Sequence, residues 1–343
     1  MMDRYSRQTL FAPIGAAGQK SIGAKHVLLI GAGALGTGNA EALVRAGVGK
    51  ITIIDRDYVE WSNLQRQQLY CEKDAREKVP KAVAAKERLQ LINSEVEINA
   101  HIADVTADML DALVKKEGFD LLLDATDNFD IRMIMNDISQ KHGVPWIYGA
   151  CVGSYGISFT IFPGESPCLQ CLLKTVPLGG ATCDTVGIIA PAVGMVVAHQ
   201  VAEALKILSG NGRDCNRKLV SFDLWKGQYV SLNVEKLKDP ECLSCGENQT
   251  YPHLSFENQT KTAVLCGRDS VQIRPAETMP EGRNLGVLKE LLITQGISVE
   301  SNPYLMSFHV EGHRLVAFQD GRVLVHGTKD IARAKTLFHR YLG

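Results

Sequence analysis

A dense group of polar side chains follows a short apolar segment early in the chain. Asp55 ends the run Lys50–Asp55, Asn63 and Arg66 follow on the next stretch, and Lys81 comes after them. A carboxylate at this point can accept hydrogen bonds from ribose hydroxyls. An arginine can contact a phosphate through two N–H groups, and a lysine offers it a point charge. The combination favours chemistry on ATP over hydride transfer.

Three glycines precede this group at a position where a phosphate could be held. Gly31, Gly33 and Gly36 directly follow the apolar run His26–Ile30 and open a helical segment that extends to about Ala46. Glycines let the backbone approach a phosphate at a helix N-terminus, where unpaired N–H groups favour anions. Because the same motif is typical of NAD-binding domains, the glycines alone leave the nucleotide open.

Acidic and amide side chains also follow a later apolar segment. Phe119–Asp124 has the pattern of a buried strand, and Asp127 and Asn128 come directly after it. An aspartate at the carboxyl end of a central strand is well placed to hold Mg²⁺. Each charged residue alone could be a solvated surface group, but their recurrence after successive strands predicts one site for ATP and Mg²⁺.

Nine cysteines stand out in an otherwise ordinary composition, and four of them form two pairs. Cys168 and Cys171 form one C-x-x-C pair, and Cys242 and Cys245 form the other. Two such pairs can make a closed tetrahedral zinc site with a structural role. Their separation of about 70 residues is wider than in a zinc ribbon. Four unrelated buried thiols remain the alternative at this point.

A fifth cysteine lies in a glycine-rich segment. Cys183, next to Asp184, is either a thiol close to the reaction or a small loop residue without chemistry. The neighbouring carboxylate should raise rather than lower the pKa of the thiol, which argues against a spontaneously reactive thiolate. We expect structural roles for the remaining four cysteines, Cys71, Cys151, Cys215 and Cys266.

The surrounding pattern predicts the elements that position these side chains. Apolar runs alternate with helical segments up to about residue 149, which is typical of a parallel sheet covered on both faces. After Gly153 we expect antiparallel strands, an irregular crossover over 163–185 and a long apolar helix, Ala190–Leu208. The predicted fold class is α/β, with a Rossmann-like, doubly wound, mostly parallel sheet and an antiparallel extension, over residues 1–246. The expected strands are His26–Ile30, Lys50–Asp55, Val96–Ile102, Phe119–Asp124, Pro145–Gly149, Gly156–Phe162, Lys218–Asp223 and Tyr229–Val234, and the expected later helices cover 77–92, 108–116 and 129–141.

The last part of the chain has a different pattern. After a polar stretch at 247–260, short apolar runs and two helical segments, near 285–295 and 330–341, predict a small α+β unit. We therefore expect a second domain over 247–343, of unknown role. It contains no cysteine-centred sulfur-transfer loop of the rhodanese type.

Bulk properties exclude several classes of function. A net charge of −1 and a pI near 6.8 give no support for a nucleic-acid partner. No uninterrupted apolar run reaches the roughly 18 residues of a membrane span, and the N-terminus has no signal-peptide pattern. We expect no membrane partner and a cytoplasmic location.

Several motifs together resemble the ThiF/MoeB/HesA family of adenylyltransferases, relatives of the ubiquitin-activating enzymes. The resemblance covers about residues 3–246. Within this range, Trp146–Gly156 looks most like the ThiF-type enzymes of Bacillus-like bacteria. Ala34 and Asn93-Ser94 depart from the common pattern, and Lys78 lies close to Lys81 as a second candidate. The matching motifs are Arg4–Gln8, Gly31–Gly36, Ser62–Gln67, Lys81 with Asn93, and Asp124–Asn128.

The resemblance implies a role for each candidate residue. Asp55 would bind the ribose, Asp127 would hold Mg²⁺, and Arg7 would reach into the site of a second copy, which implies a homodimer. Zn²⁺ would be held at the two cysteine pairs, and Cys183 could attack the activated carboxylate or take part in sulfur transfer. The triphosphate would contact Asn63, Arg66 and Lys81, with the glycine turn and Asn128 completing the nucleotide site.

The reaction implied by the resemblance is ATP-dependent adenylation of the C-terminal Gly-Gly carboxylate of a ubiquitin-like sulfur carrier. ThiS, for thiazole synthesis, is the expected carrier, and MoaD, for molybdopterin synthesis, is the alternative. A sulfurtransferase or a cysteine desulfurase would be a further partner. An NAD-dependent oxidoreductase with a structural zinc, and a scaffold that binds nucleotide without catalysis, remain alternatives of other classes.

Overall fold

The structure is a computed structural model, and it describes residues 3–174, 186–255, 262–264, 270–273, 285–319 and 321–342. It divides the chain into two units, Met1–Asn258 and Gln259–Gly343. The segment after Gly246 belongs to the first unit, because the backbone N–H of His253 donates to Asp137 at 2.9 Å.

An eight-stranded sheet forms the centre of the first unit, in the order β3-β2-β1-β4-β5-β6-β7-β8. Strands β1 to β5 pair in parallel, and β6, β7 and β8 continue the sheet with antiparallel pairing. The predicted Rossmann-like sheet with an antiparallel extension is confirmed. The strands are β1 (His26–Ile30), β2 (Lys50–Asp55), β3 (Glu97–Ile102), β4 (Leu121–Asp124), β5 (Trp146–Val152), β6 (Tyr155–Ile161), β7 (Lys218–Asp223) and β8 (Gln228–Asn233).

Helices cover both faces of the sheet, so the parallel strands β1, β2 and β4 are buried on two sides, whereas the edge strand β3 is only partly buried. Val27 and Leu29 point into one apolar cluster with α3, α5 and α9, while Leu28 and Ile30 point into the other with α6, α7 and α8. The described helices of this unit are α1 (Ser6–Leu10), α2 (Gly15–Ile22), α3 (Ala34–Ala46), α4 (Glu72–Glu77), α5 (Lys81–Ile92), α6 (Ala107–Glu117), α7 (Phe129–His142), α8 (Leu169–Leu173) and α9 (Ala190–Leu208).

The strand order reverses between β1 and β4, which lie side by side although β2 and β3 come between them in the chain. In open α/β sheets the crevice at the carboxyl ends of the strands on either side of such a reversal is where ligands bind. The glycine turn after β1 and the acidic segment after β4 both lie at this edge.

Helix α9 is long and apolar enough to cross a membrane by length and composition alone, and it is the one such helix among the described residues. In the structure it packs against α3, β5 and β6. Its buried residues include Val193, Val196 and Gln200. The apolar face of α9 is therefore used in the core of the first unit.

The second unit contains an antiparallel sheet in the order β11-β12-β13-β14-β10-β9. Leu292 of α10 and Leu337 of α11 join the apolar core of this sheet. The elements are β9 (Thr262–Val264), β10 (Ser270–Ile273), α10 (Leu285–Thr294), β11 (Val299–Ser301), β12 (Leu305–Val310), β13 (His313–Phe318), β14 (Val323–His326) and α11 (Ile331–Leu342).

Most predicted elements lie where the structure has them, and one helix differs. The helix expected over 77–92 begins only at Lys81, as α5, and a separate helix that was not predicted, α4, ends at Glu77. Lys78 has a left-handed φ of 51° and ends α4, and Pro80 directly precedes α5. A proline at this position cannot continue the preceding helix but suits the start of the next one.

Candidate active site and metal centre

The glycine turn after β1 is packed too tightly for side chains at two of its positions. A Cβ at Gly31, whose φ is +97°, would lie 2.5 Å from the carbonyl oxygen of Ala125, at the end of β4. A Cβ at Gly36 would lie 2.0 Å from the carbonyl oxygen of Gly31. The turn therefore depends on glycine for its shape. Over Gly33 the space is open, with only an atom of Gln67 within 4 Å of a hypothetical Cβ.

Asp55 and Tyr70 hold this turn from its two sides. The backbone N–H of Ala32 donates to Oδ2 of Asp55 at 2.6 Å, and the N–H of Asp57 donates to Oδ1 at 2.7 Å. The hydroxyl of Tyr70 contacts the carbonyl of Ala32 at 2.6 Å and that of Lys81 at 3.1 Å. Burial raises the pKa of Asp55, and the charge of Lys81 acts in the opposite direction. Each carboxylate oxygen keeps acceptor capacity for a ribose hydroxyl.

Lys81 is the first residue of α5, and only 4% of its surface is exposed. Its Nζ lies 3.4 Å from Oδ2 of Asp57, and its backbone N–H donates to the carbonyl of Asp57 at 2.8 Å. Asp57 follows the ribose-site candidate Asp55 by two residues, so the ammonium group lies beside the end of β2. Lys81 rather than Lys78 therefore has the buried position next to the two carboxylates.

Asn63 and Arg66 lie on the segment that leaves β2. Asn63 is buried in a short 3₁₀ helix, where its Oδ1 accepts from the backbone N–H of Glu60 at 3.0 Å. Arg66 is half-buried and donates through Nη1 to the carbonyl of Ser62 at 2.8 Å. The local turn therefore uses one atom of each side chain.

Two aspartates near the end of β4 have different surroundings. Asp124 is fully buried, and its Oδ2 accepts from Nε of Arg132 at 2.9 Å. Asp127 is exposed, and it has no hydrogen-bond partner in the described part of the chain. Burial lowers the pKa of Arg56, but Asp104 first, then Asp57 and Asp127, raise it above its ordinary value. The charge of Asp127 therefore acts on Arg56, as the charge of Asp57 after β2 does. Asp127 is the one of the two aspartates that is accessible to a cation.

Asn128 has a structural role at the start of α7. Its Oδ1 accepts from the N–H groups of Asp130 and Ile131, at 2.8 and 3.3 Å, so it caps the helix. The capping oxygen fixes where α7 begins and therefore where Asp127 stands.

Arg7 lies on α1, far from the glycine turn of its own chain. Gln8 donates to the carbonyl of Ala46 at 3.0 Å, and Tyr5 occupies the space beside Gly47. Both contacts are at the C-terminal end of α3, whereas Gly33 precedes its N-terminus. A helix of 13 residues is about 20 Å long.

The two cysteine pairs come together as one cluster, 74 residues apart in sequence. Their four sulfurs lie within 4.8 Å of one another, and three of the pairs are 3.4, 3.7 and 3.9 Å apart. Four sulfurs at about 2.3 Å from a tetrahedral zinc would be about 3.8 Å apart, so the cluster fits this ion. The cluster consists of Cys168, Cys171, Cys242 and Cys245, all buried.

Helix α7 contacts both cysteine pairs through two adjacent polar residues. Oδ1 of Asn136 accepts from the backbone N–H of Leu169 at 2.8 Å, inside the first pair. Oδ1 of Asp137 accepts from the hydroxyl of Ser244 at 2.5 Å, inside the second pair. The same hydroxyl contacts the side-chain amide of Gln170. No sequence pattern predicted this link, because polar residues inside an apolar helix pattern have no recognisable spacing.

The structure thus brings most of the predicted nucleotide residues to one edge of the sheet. Arg7 lies elsewhere in the same chain, and Cys183 lies outside the described residues. The predicted site did not include Tyr70, Arg56 and Arg132. Their place within or beside the motifs was the one signal that pointed to them. A buried amide was missed as well: Gln200 of α9 links Asn39 of α3 to the carbonyl of Asp124.

Comparison of the sequence with known families and proteins gives three similarities. The family model described as the ThiF family matches residues 5–244. The Sulfur carrier protein ThiS adenylyltransferase of Bacillus subtilis (strain 168) is 52% identical over 343 residues, covering all of both chains. The Molybdopterin-synthase adenylyltransferase of Escherichia coli (strain K12) is 34% identical over 72% of this chain and 97% of its own length.

A solved structure supports the fold. The crystal structure of E. coli MccB with ATP aligns with a TM-score of 0.60 and 23% identity, over 72% of this chain and 75% of that one. At this identity the likeness is one of fold alone.

Proposed function

This chain belongs to the ThiF family and is an adenylyltransferase, and we propose that it adenylates the C-terminal Gly-Gly carboxylate of a ThiS-type sulfur carrier. The carrier identity is supported by the 52% identity, over full length, to a protein named for ThiS. The observation that carries the proposal is the meeting of the glycine turn, Asp55 and Lys81 at the reversal point of the sheet. The family relation to molybdopterin-synthase adenylyltransferases leaves MoaD as the second candidate carrier.

The proposed reaction needs no general base, because the attacking carboxylate is already ionised at neutral pH. A carboxylate oxygen forms a bond to the α-phosphorus, and the bond from that phosphorus to the bridging oxygen breaks. Pyrophosphate leaves with the electron pair. The protein would act by positioning the two reactants and by neutralising charge on the triphosphate.

Each nucleotide-site residue has a place in this scheme. Asp55 would accept from the ribose hydroxyls, and the open face of Gly33 would admit a phosphate. Arg66 and Lys81 would neutralise the leaving pyrophosphate, and Asn63 would contact it through the amide atom that the turn does not use. Asp127 would hold Mg²⁺, which supplies further neutralisation of phosphate charge when bound. Asn128 would keep its capping role beside it.

We place Arg7 in the site of a second copy, which makes the enzyme a homodimer. The next residue, Gln8, contacts the C-terminal end of α3, which lies about 20 Å along the helix from Gly33, and this supports the assignment. Leu10 and Phe11 follow Arg7 closely in the chain, and they are exposed, at 72% and 61%. Large exposed apolar side chains next to each other are typical of an interaction surface.

The cysteine cluster would hold a structural Zn²⁺. The thiol of Cys183 would either attack the acyl-adenylate, forming a thioester as AMP leaves, or take the outer sulfur of a persulfide on a sulfurtransferase or cysteine desulfurase, whose own thiol is then released. All seven cysteines of the described ranges are free thiols. Free thiols suit the reducing cytoplasm, where we place the enzyme. The second unit would assist carrier binding.

Intact-mass spectrometry tests the proposal directly. The chain is incubated with ATP, Mg²⁺ and a ThiS-type carrier, and in parallel with the carrier lacking its terminal glycine. We expect one AMP on the intact carrier and none on the truncated one. An NAD-dependent oxidoreductase or a scaffold that only binds nucleotide would modify neither.

A further inference from the structure

Gln67 has a buried side chain without a hydrogen bond. Only 4% of the residue is exposed, and its Oε1 is enclosed without a partner. No hydrogen bond of its Nε2 occurs in the described part of the chain. Burying an amide in this way costs stability. The Nε2 group is a donor without a partner among the described residues, and a bound anion could accept from it.

The amide nitrogen faces the glycine turn. Nε2 lies 3.9 Å from the position that a Cβ on Gly33 would occupy, and no other atom outside the adjoining residues comes within 4 Å of it. The backbone holds Gln67 in place, because its N–H donates to the carbonyl of Asn63 at 3.0 Å and its carbonyl accepts from Tyr70 at 3.2 Å. A donor is thus fixed beside the one open face of the turn.

The start of α3 lacks a partner of its own. Gly33 is the N-cap residue of this 13-residue helix, and no side chain caps the first turn. The first N–H groups of a helix have no partner within the helix, and they favour an anion. Both the helix start and the amide of Gln67 therefore offer donors to the same space.

We infer that Gln67 is a nucleotide-binding residue, whose Nε2 donates to a non-bridging phosphate oxygen of ATP over Gly33. The inference rests on the proposed function, because it takes ATP as the ligand of the glycine turn. It adds a neutral donor to the charged residues Arg66 and Lys81. A neutral amide can mark the position of the phosphate chain without changing the charge of the site.

The test compares Gln67→Met with wild type in the full chain. Methionine has a similar length and shape without the amide. Binding of ATP and of adenosine is measured by calorimetry in the absence of carrier, so that no reaction occurs. We expect a loss of ATP affinity of about tenfold or more, since a hydrogen bond to a charged group is lost. Adenosine should bind within about twofold of wild type, because it has no phosphate.

A matched control is Gln68→Met. Gln68 is exposed, and its side chain donates to Glu41 at 2.7 Å. This variant should bind ATP like wild type. Thermal unfolding separates binding from folding: Gln67→Met should melt at the wild-type temperature or above it, because the buried unpaired amide is gone. Gln67→Glu, which keeps the shape but removes the donor and adds charge, should weaken ATP binding further.

Three results would overturn the inference. Wild-type ATP affinity in Gln67→Met would mean that the amide does not contact the nucleotide. Equal losses for ATP and adenosine, or a lowered melting temperature with both losses, would mean that Gln67 acts only in packing. If wild type binds neither ATP nor adenosine, the proposed function fails first and takes the inference with it.

Discussion

Nε of Arg132 lies 2.9 Å from Oδ2 of Asp124, so the carboxylate that ends β4 is already paired inside the protein. Burial raises the pKa of Asp124, and the charge of Arg132 works against that shift. The guanidinium also contacts the carbonyl of Gly149 at 3.3 Å and lies over the ring of Tyr148. The pair joins β4, β5 and α7 and leaves Asp127 as the aspartate available to a metal ion.

Substitution of the two aspartates should therefore affect two different properties, stability for Asp124 and activity for Asp127. Asp124→Ala leaves the buried guanidinium of Arg132 without its carboxylate partner. We expect the free energy of unfolding of this variant to fall by about 3–5 kcal/mol. Asp127→Asn should change that free energy by less than about 0.5 kcal/mol, because the residue is exposed. The adenylation rate of the Asp127→Asn variant should nevertheless fall about tenfold or more, and the variant should need more Mg²⁺ for half-maximal activity. Denaturant titration and a Mg²⁺ dependence measure the two effects. A stable Asp124→Ala variant with lost Mg²⁺ dependence would reverse the assignment.

The position of Lys81 predicts a change in the pH dependence of activity. Lys81 lowers the pKa of Asp55, which burial has raised. In Lys81→Met this opposing charge is gone, so Asp55 becomes protonated at a higher pH than in wild type. The acid limb of the activity profile should then move to higher pH, and the KM for ATP should rise about tenfold or more. An acid limb that stays in place would separate Lys81 from Asp55.

Lys78→Met is the matched control for that experiment. Lys78 ends α4 in a left-handed conformation, whereas Lys81 lies beside Asp57. We expect the Lys78 variant to keep the wild-type pH profile and KM. If it loses activity as Lys81→Met does, the phosphate contact belongs to both lysines.

The contact of Asp137 with Ser244 predicts an effect on metal retention. Asp137 is fully buried in α7, and it accepts both from Ser244 and from the backbone of His253. Asp137→Ala should release zinc to a chelator about ten times faster or more, since partners of this kind orient metal ligands. Zinc release is followed with a colorimetric chelator, independently of activity. Asp111→Ala, which removes a half-buried carboxylate on α6 paired with Lys141 and His142, is the control. Equal release from both variants would contradict the orienting role.

The fold was predictable where local pattern and packing agree. Strands β1 and β2 are short apolar runs that end at a glycine turn and at Asp55, so their bounds follow from the sequence. Helix α9 was found for the same reason. Helix α4 was not predicted separately, because the left-handed conformation of Lys78 depends on the surrounding structure and not on the residue type.

The site was predictable only for residues that would contact the ligand. Asp55 and Lys81 lie within motifs whose spacing suggests nucleotide chemistry. The residues that hold them, Tyr70 and Arg132, contact partners whose positions no local pattern gives. Asp137 and Ser244 show this most clearly, because their hydrogen bond joins residues 107 positions apart. Such pairs exist only after folding.

The exchange of labelled pyrophosphate into ATP tests the central claim most directly. The purified chain is offered a ThiS-type or a MoaD-type carrier, each with and without its terminal glycine, and Arg66→Ala is assayed beside it. We predict exchange with the intact ThiS-type carrier alone, and a loss of about tenfold or more in Arg66→Ala, because a charged phosphate contact is removed. Exchange with only the MoaD-type carrier would mean that the substrate is a MoaD-type and not a ThiS-type carrier. Absence of exchange with either intact carrier would contradict the adenylation of a sulfur carrier by this protein.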